Sequence, residues 1–350
     1  MRLSRIRDAR RGVVLVIVLI FALLLTSSTA TFLRRATVDS MIVRNRDSAA
    51  QAEALARGGV RLAVALLIED RLQESANETG EDRRIETLQD PWARVQELEI
   101  VPEDGHGVLR LRIEDAGSRL NLNALFSGGA PLGNETELLL RQLLEKVIEE
   151  MPGRPEEKLY DPQELARNLI DYVDEDELKV PSGDPENDYY QKQDPPYEAA
   201  DRPLLSVEEL GLVEGFDRKL VAALRPYVTV YPLVGGVGIN PNTAPTWVLA
   251  TVYYNDGTDY RLADEDAVGR VLQHRERGEL FCSGTANAEE TCVSLREVFP
   301  NEPYPPPSTG GSDVFYVTAQ AEVGDIRRTV ETILDRTDLA NPVVRTWRVR

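Results

Sequence analysis

The sequence is poor in imidazole and sulfur ligands: its 350 residues include two histidines and two cysteines. Neither His106 nor His274 stands near enough in sequence to Cys282 or Cys292 to complete a zinc set. A Ser/His/Asp or Cys/His catalytic set, a phosphate-binding loop and a zinc motif are also missing from the sequence. These gaps argue against an enzyme, even though pairs of carboxylates are abundant.

The two cysteines lie ten positions apart in the stretch FCSGTANAEETC, which is rich in Gly, Ala and Asn. In an exported chain, where thiols become oxidised, an isolated close pair of this kind favours a disulfide over a metal site. We therefore predict a disulfide between Cys282 and Cys292.

Positive charge is also scarce, because 40 Lys and Arg face 59 Asp and Glu, for a net charge of −19. Such a balance leaves the bulk of the chain with little attraction for nucleic acid or anionic lipid. The first 12 residues are the exception, with five Arg and one Asp. A basic stub before an apolar segment predicts that the stub stays in the cytoplasm and that the acidic body is exported.

The sequence has one long apolar run, which begins at Val13 and carries no charge before Arg34. As a helix, residues 13–33 would span about 31 Å, which matches a hydrocarbon core of about 30 Å. Ser28-Thr29-Ala30 resembles the small-x-small site of a cleaved secretory signal. Ala-rich sequence without proline continues for roughly forty more residues, however, so we favour a retained membrane anchor over a signal peptide.

The body of the chain predicts an α+β unit interrupted by helices. Gly107–Asp115 alternates apolar and polar residues, and two further strands are predicted at 314–323 and 326–335. A hairpin of this kind needs a third strand or a helix to cover it, and residues 108–114 with the N-terminal helix supply both. Short helices are predicted between these strands, beginning at Asn134, Asp161, Ser206, Asp217, Pro245, Asp264 and Ser294.

Four ordered motifs accompany Gly12, a small residue between the basic stub and the apolar run. They are GSRLNLNAL (117–125), NLIDYVDEDE (168–177), GDPENDYYQKQDPPYEAADRPLLSVEELGLVEGF (183–216) and GINPNTAPTWVL (238–249). Over residues 1–335 the chain resembles the minor pseudopilin K family of type II secretion. The resemblance implies a pseudopilin fold, in which a long N-terminal helix packs on a small antiparallel sheet, with a large inserted all-α domain that is SAM-like or helix-hairpin-helix-like.

The resemblance divides the chain into seven segments. They are a prepilin leader (1–12), a transmembrane segment (13–33), the pseudopilin helix and first strand (34–119), the inserted helical domain (120–300), a linker (301–313), the C-terminal hairpin (314–335) and a tail (336–350). Prepilin peptidase would cut after Gly12, and Val13 would become the methylated N-terminus. Most pseudopilins carry Glu at the fifth mature position, which is Ile17 here. The K family lacks that acid, and this suits a subunit at the filament tip.

The function implied by the resemblance is assembly. The chain would cap the tip of the periplasmic pseudopilus and help initiate its assembly for export of folded proteins across the outer membrane. Its implied partners are minor pseudopilins I and J, prepilin peptidase, the inner-membrane secretion platform and secreted substrates, without nucleic acid. It would cross the inner membrane once, with its N-terminus in the cytoplasm and its body in the periplasm.

Residues 171–201 hold eleven Asp or Glu against two Lys. Such a cluster repels itself unless water separates the carboxylates or a cation sits among them. The spacing is not that of an EF-hand, and by itself it favours a solvated acidic loop. The resemblance instead implies bound calcium, with five candidate ligands: Asp174, Asp176, Glu186, Asp188 and Asp201.

An alternative of another class is a membrane-anchored helix-hairpin-helix DNA-binding protein, or a pilin-like protein related to type IV pili or competence. LLSVEELGLVEGF and GINPNTAPTWVL also resemble helix-hairpin-helix elements, whose helix N-termini can bind phosphate. Affinity for duplex DNA comes mainly from Lys and Arg, however. Residues 204–253, which contain both motifs, hold three basic and four acidic residues. The sequence therefore favours helices that pack within the protein over helices that bind DNA.

Overall fold

A computed structural model describes residues 4–76, 85–103, 105–153, 159–179, 182–234, 238–282, 292–299, 301, 303–306 and 311–350. Parts of the predicted leader (1–3) and of the predicted linker (302 and 307–310) lie outside these residues. The helices are α1 (Ser4–Ala76), α2 (Pro91–Arg94), α3 (Glu135–Glu150), α4 (Pro162–Val173), α5 (Asn187–Tyr190), α6 (Arg218–Leu224), α7 (Thr246–Leu249) and α8 (Glu265–Glu276).

Thirteen strands are described, most of them two or three residues long. They are β1 (Val108–Asp115), β2 (Leu120–Asn121), β3 (Phe126–Ser127), β4 (Ala130–Pro131), β5 (Val228–Thr229), β6 (Tyr253–Asn255), β7 (Tyr260–Leu262), β8 (Leu280–Phe281), β9 (Cys292–Val293), β10 (Pro303–Tyr304), β11 (Val314–Val323), β12 (Ile326–Asp335) and β13 (Val343–Val349).

Helix α1 has two halves with different surroundings. Every side chain from Val13 to Asp47 is exposed, although most of residues 13–33 are apolar. From Ala52 onward about one side chain per turn is buried, in the series Ala52, Ala56, Val60, Ala63 and Leu67. Spacings of three and four residues place this series on one face, which packs on the sheet. The second half of α1 therefore packs on the sheet, whereas the first half makes no buried contact with the described part of the protein.

The main sheet has the order β1-β11-β12-β13, and all its neighbours are antiparallel. Strands β1, β11 and β12 form where alternation predicted them, and this confirms the α+β class with a long helix on an antiparallel sheet. Gly59 allows the close approach of α1, because a Cβ there would lie 2.9 Å from Leu109 Cδ1 and 3.0 Å from the Cβ of Ala319.

The C-terminal segment adds a strand that the sequence analysis did not assign. Residues 336–350, treated above as a tail, contain β13, which pairs with β12 along Val330–Asp335. The sheet therefore has four strands and not three. Every residue of β13 is exposed, so the strand carries no buried face of its own.

The inserted region is mainly helical and also contains short strands that an all-helical description omits. Asp161, Asp217 and Asp264 accept backbone N–H groups at the starts of α4, α6 and α8, as predicted. Asn134 precedes α3 but its side chain makes no capping bond. Residues Val207–Leu212 form a 3-10 helix after Ser206. This region has its own hydrophobic core, separate from the cluster between α1 and the sheet.

Two differences from the predicted helices arise from strand pairing and helix length. The helix predicted after Pro245 stops at Leu249, because Tyr253–Asn255 becomes the central strand β6 between β10 and β7. The helix predicted after Ser294 is one 3-10 turn, Leu295–Glu297, which the Ser294 hydroxyl caps by accepting from the Arg296 N–H.

Buried asparagines of the sequence motifs hold the inserted region together and join it to the sheet. The Asn123 side chain donates to the carbonyls of Leu204 and Val230 at 2.9 and 2.8 Å and accepts from the Leu204 N–H. Asn240 donates to Asp115 Oδ2 at 3.0 Å, at the end of β1. Because an unpaired buried amide is costly, Asn123 fixes segments within the inserted region and Asn240 fixes that region to the end of β1.

Candidate functional site

The acidic segment forms a loop that turns back on itself. Helix α4 ends at Val173, and Asp174 is its C-cap residue, whose N–H donates to the Ile170 carbonyl. A bridge between Leu178 and Pro185 then closes the loop. The Glu186 N–H donates to the Glu177 carbonyl at 3.2 Å, and this brings the start of α5 beside the end of α4.

Three of the five predicted ligands meet in this loop. Carboxylate oxygens of Asp174, Asp176 and Glu186 all lie within 4.8 Å of one another. Asp174 is 5% exposed and Glu186 is 1% exposed, while Asp176 faces solvent. The set therefore has two buried members and an opening to solvent on the Asp176 side.

Two oxygens of this cluster have no partner in the part of the chain that the structure describes. Asp174 Oδ1 and Glu186 Oε1 are buried without a hydrogen bond. A buried carboxylate oxygen left in this way is costly, and native structures rarely retain one without a ligand or water. The two orphaned oxygens are the observation that points to a bound cation.

The electrostatics of the cluster agree with this geometry. Burial, with the neighbouring Asp176 and Asp171 charges, raises the pKa of Asp174 to about 7. Burial, with the Asp174 and Asp171 charges, raises the pKa of Glu186 to about 8. Near neutral pH a proton therefore competes with a cation for these carboxyls, most strongly at Glu186.

An oxygen-only set of this size fits a hard cation. Calcium binds oxygen ligands at about 2.3–2.6 Å, so oxygens less than 5 Å apart can share one ion. The cluster offers neither sulfur nor imidazole, which a softer metal would prefer. Asp174, Asp176 and Glu186 are thus the residues that could hold calcium.

The other two predicted ligands lie outside this group. Asp188 is exposed in the first turn of α5, and Asp201 is exposed with a left-handed φ of 46°. The charge of Asp201 still contributes to the raised pKa of Asp174, so it is near the cluster without being a member. Sequence reasoning did not single out Asp171, which is buried one helical turn before Asp174. That spacing is the signal that could have identified it.

A cluster of tyrosine rings packs beside the acidic loop. Tyr190 is 2% exposed and meets the rings of Tyr172, Tyr189 and Tyr197 at centroid distances of 5.2–5.5 Å. The Tyr172 carbonyl accepts the N–H groups of Ala200 and Asp201. Hydrogen bonds and ring contacts to Tyr172 therefore fix the far end of the acidic segment to α4.

The predicted disulfide is confirmed. Cys282 and Cys292 are bonded, with their Cα atoms 5.6 Å apart. The bond joins the ends of β8 and β9, which pair in parallel through Leu280 and Phe281. It therefore links two short strands of the inserted region, some distance in sequence from the acidic loop.

The N-terminal helix qualifies by length and composition as one membrane-spanning segment. The helix Val13–Gln73 contains, near the N-terminus, an apolar stretch long enough to cross a membrane, and none of that stretch is buried. Because its apolar side chains contact nothing in the described body, this segment is consistent with a single-pass membrane anchor.

Comparison with known proteins identifies relatives that match a large part of this chain. The family described as "Type II secretion system (T2SS), protein K" matches residues 118–233. The type II secretion system protein K of Pseudomonas aeruginosa is 29% identical over 71% of this chain and 70% of its own length. The protein of the same description from Klebsiella pneumoniae is 32% identical over 63% of this chain and 62% of its own length.

A solved structure shows the same fold. It is a chain in the crystal structure of the GspK-GspI-GspJ complex from the enterotoxigenic Escherichia coli type 2 secretion system. The match covers 88% of this chain and 99% of that chain, with a TM-score of 0.57 and 20% identity. The sequence matches and the fold point to one group of proteins, and the chain is similar to members of the type II secretion system protein K family.

Proposed function

We propose that this chain is the minor pseudopilin that caps the tip of a type II secretion pseudopilus. Export of folded proteins across the outer membrane would depend on the assembly that it helps to initiate. The observation that carries this proposal is the division of α1 into two halves. The first half is apolar and exposed, and it has Ile17 at the position where most pseudopilins have Glu. The second half packs on the sheet and so carries the bulky body. The relatives give no support to the DNA-binding alternative.

The position of Ile17 gives the tip role a physical basis. In a pseudopilin stack the acid at this place would receive the amine of a neighbouring subunit. Ile17 offers no charge, so no such pair can form with it. The inserted region has its own hydrophobic core and so forms a bulky unit. This unit would obstruct the stacking of further pseudopilin subunits on this one. A subunit of this kind fits the end of a filament and not its middle.

Processing at Gly12 gives the first test of this proposal. We expect the native chain to begin at N-methyl-Val13, because prepilin peptidase would cut between Gly12 and Val13 on the cytoplasmic side. N-terminal mass spectrometry of the protein from membranes measures this directly. Gly12→Leu should keep the leader and prevent assembly. Native chains that start at Met1 or Thr31 would instead indicate a plain anchor or a conventional signal peptide.

Replacement of Ile17 tests the tip role itself. Ile17→Glu should reduce recovery of the tip complex, because a carboxylate in hydrocarbon costs up to about 3 kcal/mol unless a neighbouring amine pairs with it. The measurement is copurification with the minor pseudopilin partners from membranes. Ile17→Leu is the matched control and should behave as the wild type does. Equal recovery of the Glu variant and the wild type would show that this position does not determine the tip.

We further propose that minor pseudopilins I and J are the direct partners. The support is the fold shared with a chain of the GspK-GspI-GspJ complex. The inner-membrane platform, prepilin peptidase and the secreted substrates are the other expected partners. The anchor would lie in the inner membrane with its N-terminus in the cytoplasm and the body in the periplasm, as the basic stub favours.

Calcium would serve this assembly as a structural ion. Asp174, Asp176 and Glu186 would hold it, and the exposed Asp188 and Asp201 would remain outside this three-carboxylate group. The support is the pair of buried oxygens without partners on Asp174 and Glu186. When bound, the ion supplies charge compensation to the loop between α4 and α5. The loop would then be rigid in the periplasmic body.

A further inference from the structure

Strand β13 leaves one edge of the main sheet open. Within the part of the chain that the structure describes, β13 pairs with β12 and with no other strand. The opposite edge is covered, because Ile100 exchanges backbone hydrogen bonds with Leu109 of β1 at 2.9 and 2.8 Å. Proteins usually protect the edges of sheets, so the contrast between the two edges needs an explanation.

The sequence of β13 offers little of the usual protection beyond its two arginines and one irregularity in its pairing with β12. Val343–Val349 contains neither Pro, Gly nor Lys, and all seven residues are exposed. Val344, Trp347 and Val349 are each 40–45% exposed although they are apolar. A strand of this composition favours pairing with another extended segment.

Backbone hydrogen-bonding groups on the open edge belong to alternate residues. Arg350 and Thr329 exchange both backbone hydrogen bonds, at 2.9 and 3.0 Å, so Arg350 directs its N–H and C=O toward β12. In an antiparallel ladder the next residues direct these groups the other way. Val349 and Trp347 therefore present free N–H and C=O groups to an incoming strand.

The two faces of β13 differ in chemistry. Trp347 pairs with Thr332 and Val349 pairs with the buried Val330, so both lie on the side of the sheet that faces α1. Arg348 pairs with Glu331 and lies on the opposite side. An added strand would therefore meet apolar groups on one face and guanidinium groups on the other.

Charge identifies the kind of segment that fits. Arg345, Arg348 and Arg350 are half exposed, and residues 343–350 contain no acid, in a chain of net charge −19. Arg345 and Arg350 each have one carboxylate partner, at 2.8 and 3.2 Å, and Arg348 has two at 3.6 and 3.9 Å, so each guanidinium keeps N–H donors for a further acceptor. The adjoining cleft of about 450 Å³ adds Arg119 and Arg225, so that its lining has four arginines against Glu114, Glu208 and Glu331. Acidic side chains suit this surface.

The same charges exclude a second copy of β13. Pairing two β13 strands would set arginines of one copy among those of the other, and like charges in cross-strand positions are destabilising. The occupant must therefore be a different segment.

We propose that β13 is a docking edge for an extended segment of a partner protein in which acidic and apolar residues alternate. The segment adds as a fifth strand beside β13, with its apolar residues next to Trp347 and Val349 and its acids next to Arg348 and Arg350. This inference does not depend on the secretion role, because it rests on the edge and its charges alone.

Peptide binding to the full-length chain in nanodiscs tests the proposal. The probes are capped octapeptides that alternate valine with glutamate or valine with lysine. The glutamate peptide should bind at least about tenfold more tightly, which corresponds to about 1.4 kcal/mol. It should also slow amide exchange at Trp347 and Val349. Equal binding of the two peptides, no binding, or protection elsewhere in the chain would overturn the proposal.

Two variants separate docking from folding. Val349→Pro removes an outward N–H without a bond to β12, so it should weaken binding of the glutamate peptide about tenfold. Val349→Ala keeps the outward N–H and shortens only the side chain, so it should weaken binding less than Val349→Pro does. If Val349→Pro disorders the strand, Arg348→Glu gives the second test, since it should shift preference toward the lysine peptide. Dimers that protect the same amides would support a second copy instead and overturn the proposal.

Discussion

Chelation of calcium is expected to lower the melting temperature of the body by about 5 to 10 °C. At a calcium concentration one hundred times Kd, binding to the folded state alone adds about 2.7 kcal/mol to the free energy of unfolding. For a unit of this size each kcal/mol shifts the melting temperature by about 2–4 °C. Differential scanning calorimetry of the protein with calcium and with a chelator measures the shift. Scans that superimpose would remove calcium from the proposal.

Amide substitutions assign the effect to the cluster. The double variant Asp174→Asn with Glu186→Gln should lose the response to calcium, because two buried anionic ligands become neutral. Its calcium-free form should be at least as stable as the calcium-free wild type, since neutral amides neither repel each other nor lose ion hydration on burial. Asp188→Asn is the control, because Asp188 is exposed and outside the three-carboxylate group. A double variant that still responds to calcium would place the ion elsewhere.

The acidic loop shows what sequence alone can predict about such a site. The composition of residues 171–201 identified the region, and three of the five chosen ligands meet there. Their convergence depends on the bridge between Leu178 and Pro185, which returns Glu186 to the end of α4. No local spacing rule gives that return. Asp171 was missed although its spacing from Asp174 places it near the cluster, because the sequence does not show that its side chain is buried.

In the fold as well, the sequence predicted the strands that have a local alternating pattern and not those that depend on tertiary pairing. β1, β11 and β12 alternate apolar and polar residues because one face is buried, so the sequence predicted them within one residue. β13 has both faces exposed and gives no alternation. The strands of the inserted region span two or three residues, too few for a periodic signal. Pairing of Tyr253–Asn255 with two other strands overrides the helix predicted there.

A buried ion network joins the C-terminal segment to α1. Arg336 is 2% exposed and donates to the Leu67 carbonyl at 2.7 Å and to Asp70 Oδ2 at 3.0 Å. It also binds Glu86, which is fully buried and whose second oxygen accepts from Trp92 Nε1 at 3.0 Å. The guanidinium lies 4.6 Å from the centre of the Phe315 ring. A single side chain therefore satisfies groups from α1, the segment before α2 and the sheet.

Arg336→Ala should lower the free energy of unfolding by about 3–5 kcal/mol, because it leaves two buried carboxylates without their cation. Denaturant unfolding of the body, followed by circular dichroism, measures the loss. Arg345→Ala is the matched control, since Arg345 pairs with Asp335 at 2.8 Å but is 46% exposed. An exposed pair of this kind contributes at most about 1 kcal/mol.

A conservative variant keeps the test informative if Arg336→Ala does not fold. Arg336→Lys retains the charge but has a single ammonium in place of the planar fork, so it cannot bind Asp70, Glu86 and the Leu67 carbonyl together. Its loss of stability should fall between those of Arg345→Ala and Arg336→Ala. If Arg336→Ala costs no more than Arg345→Ala, the buried network does not hold the C-terminal segment to α1, and packing of Leu334 and Phe315 must do so instead.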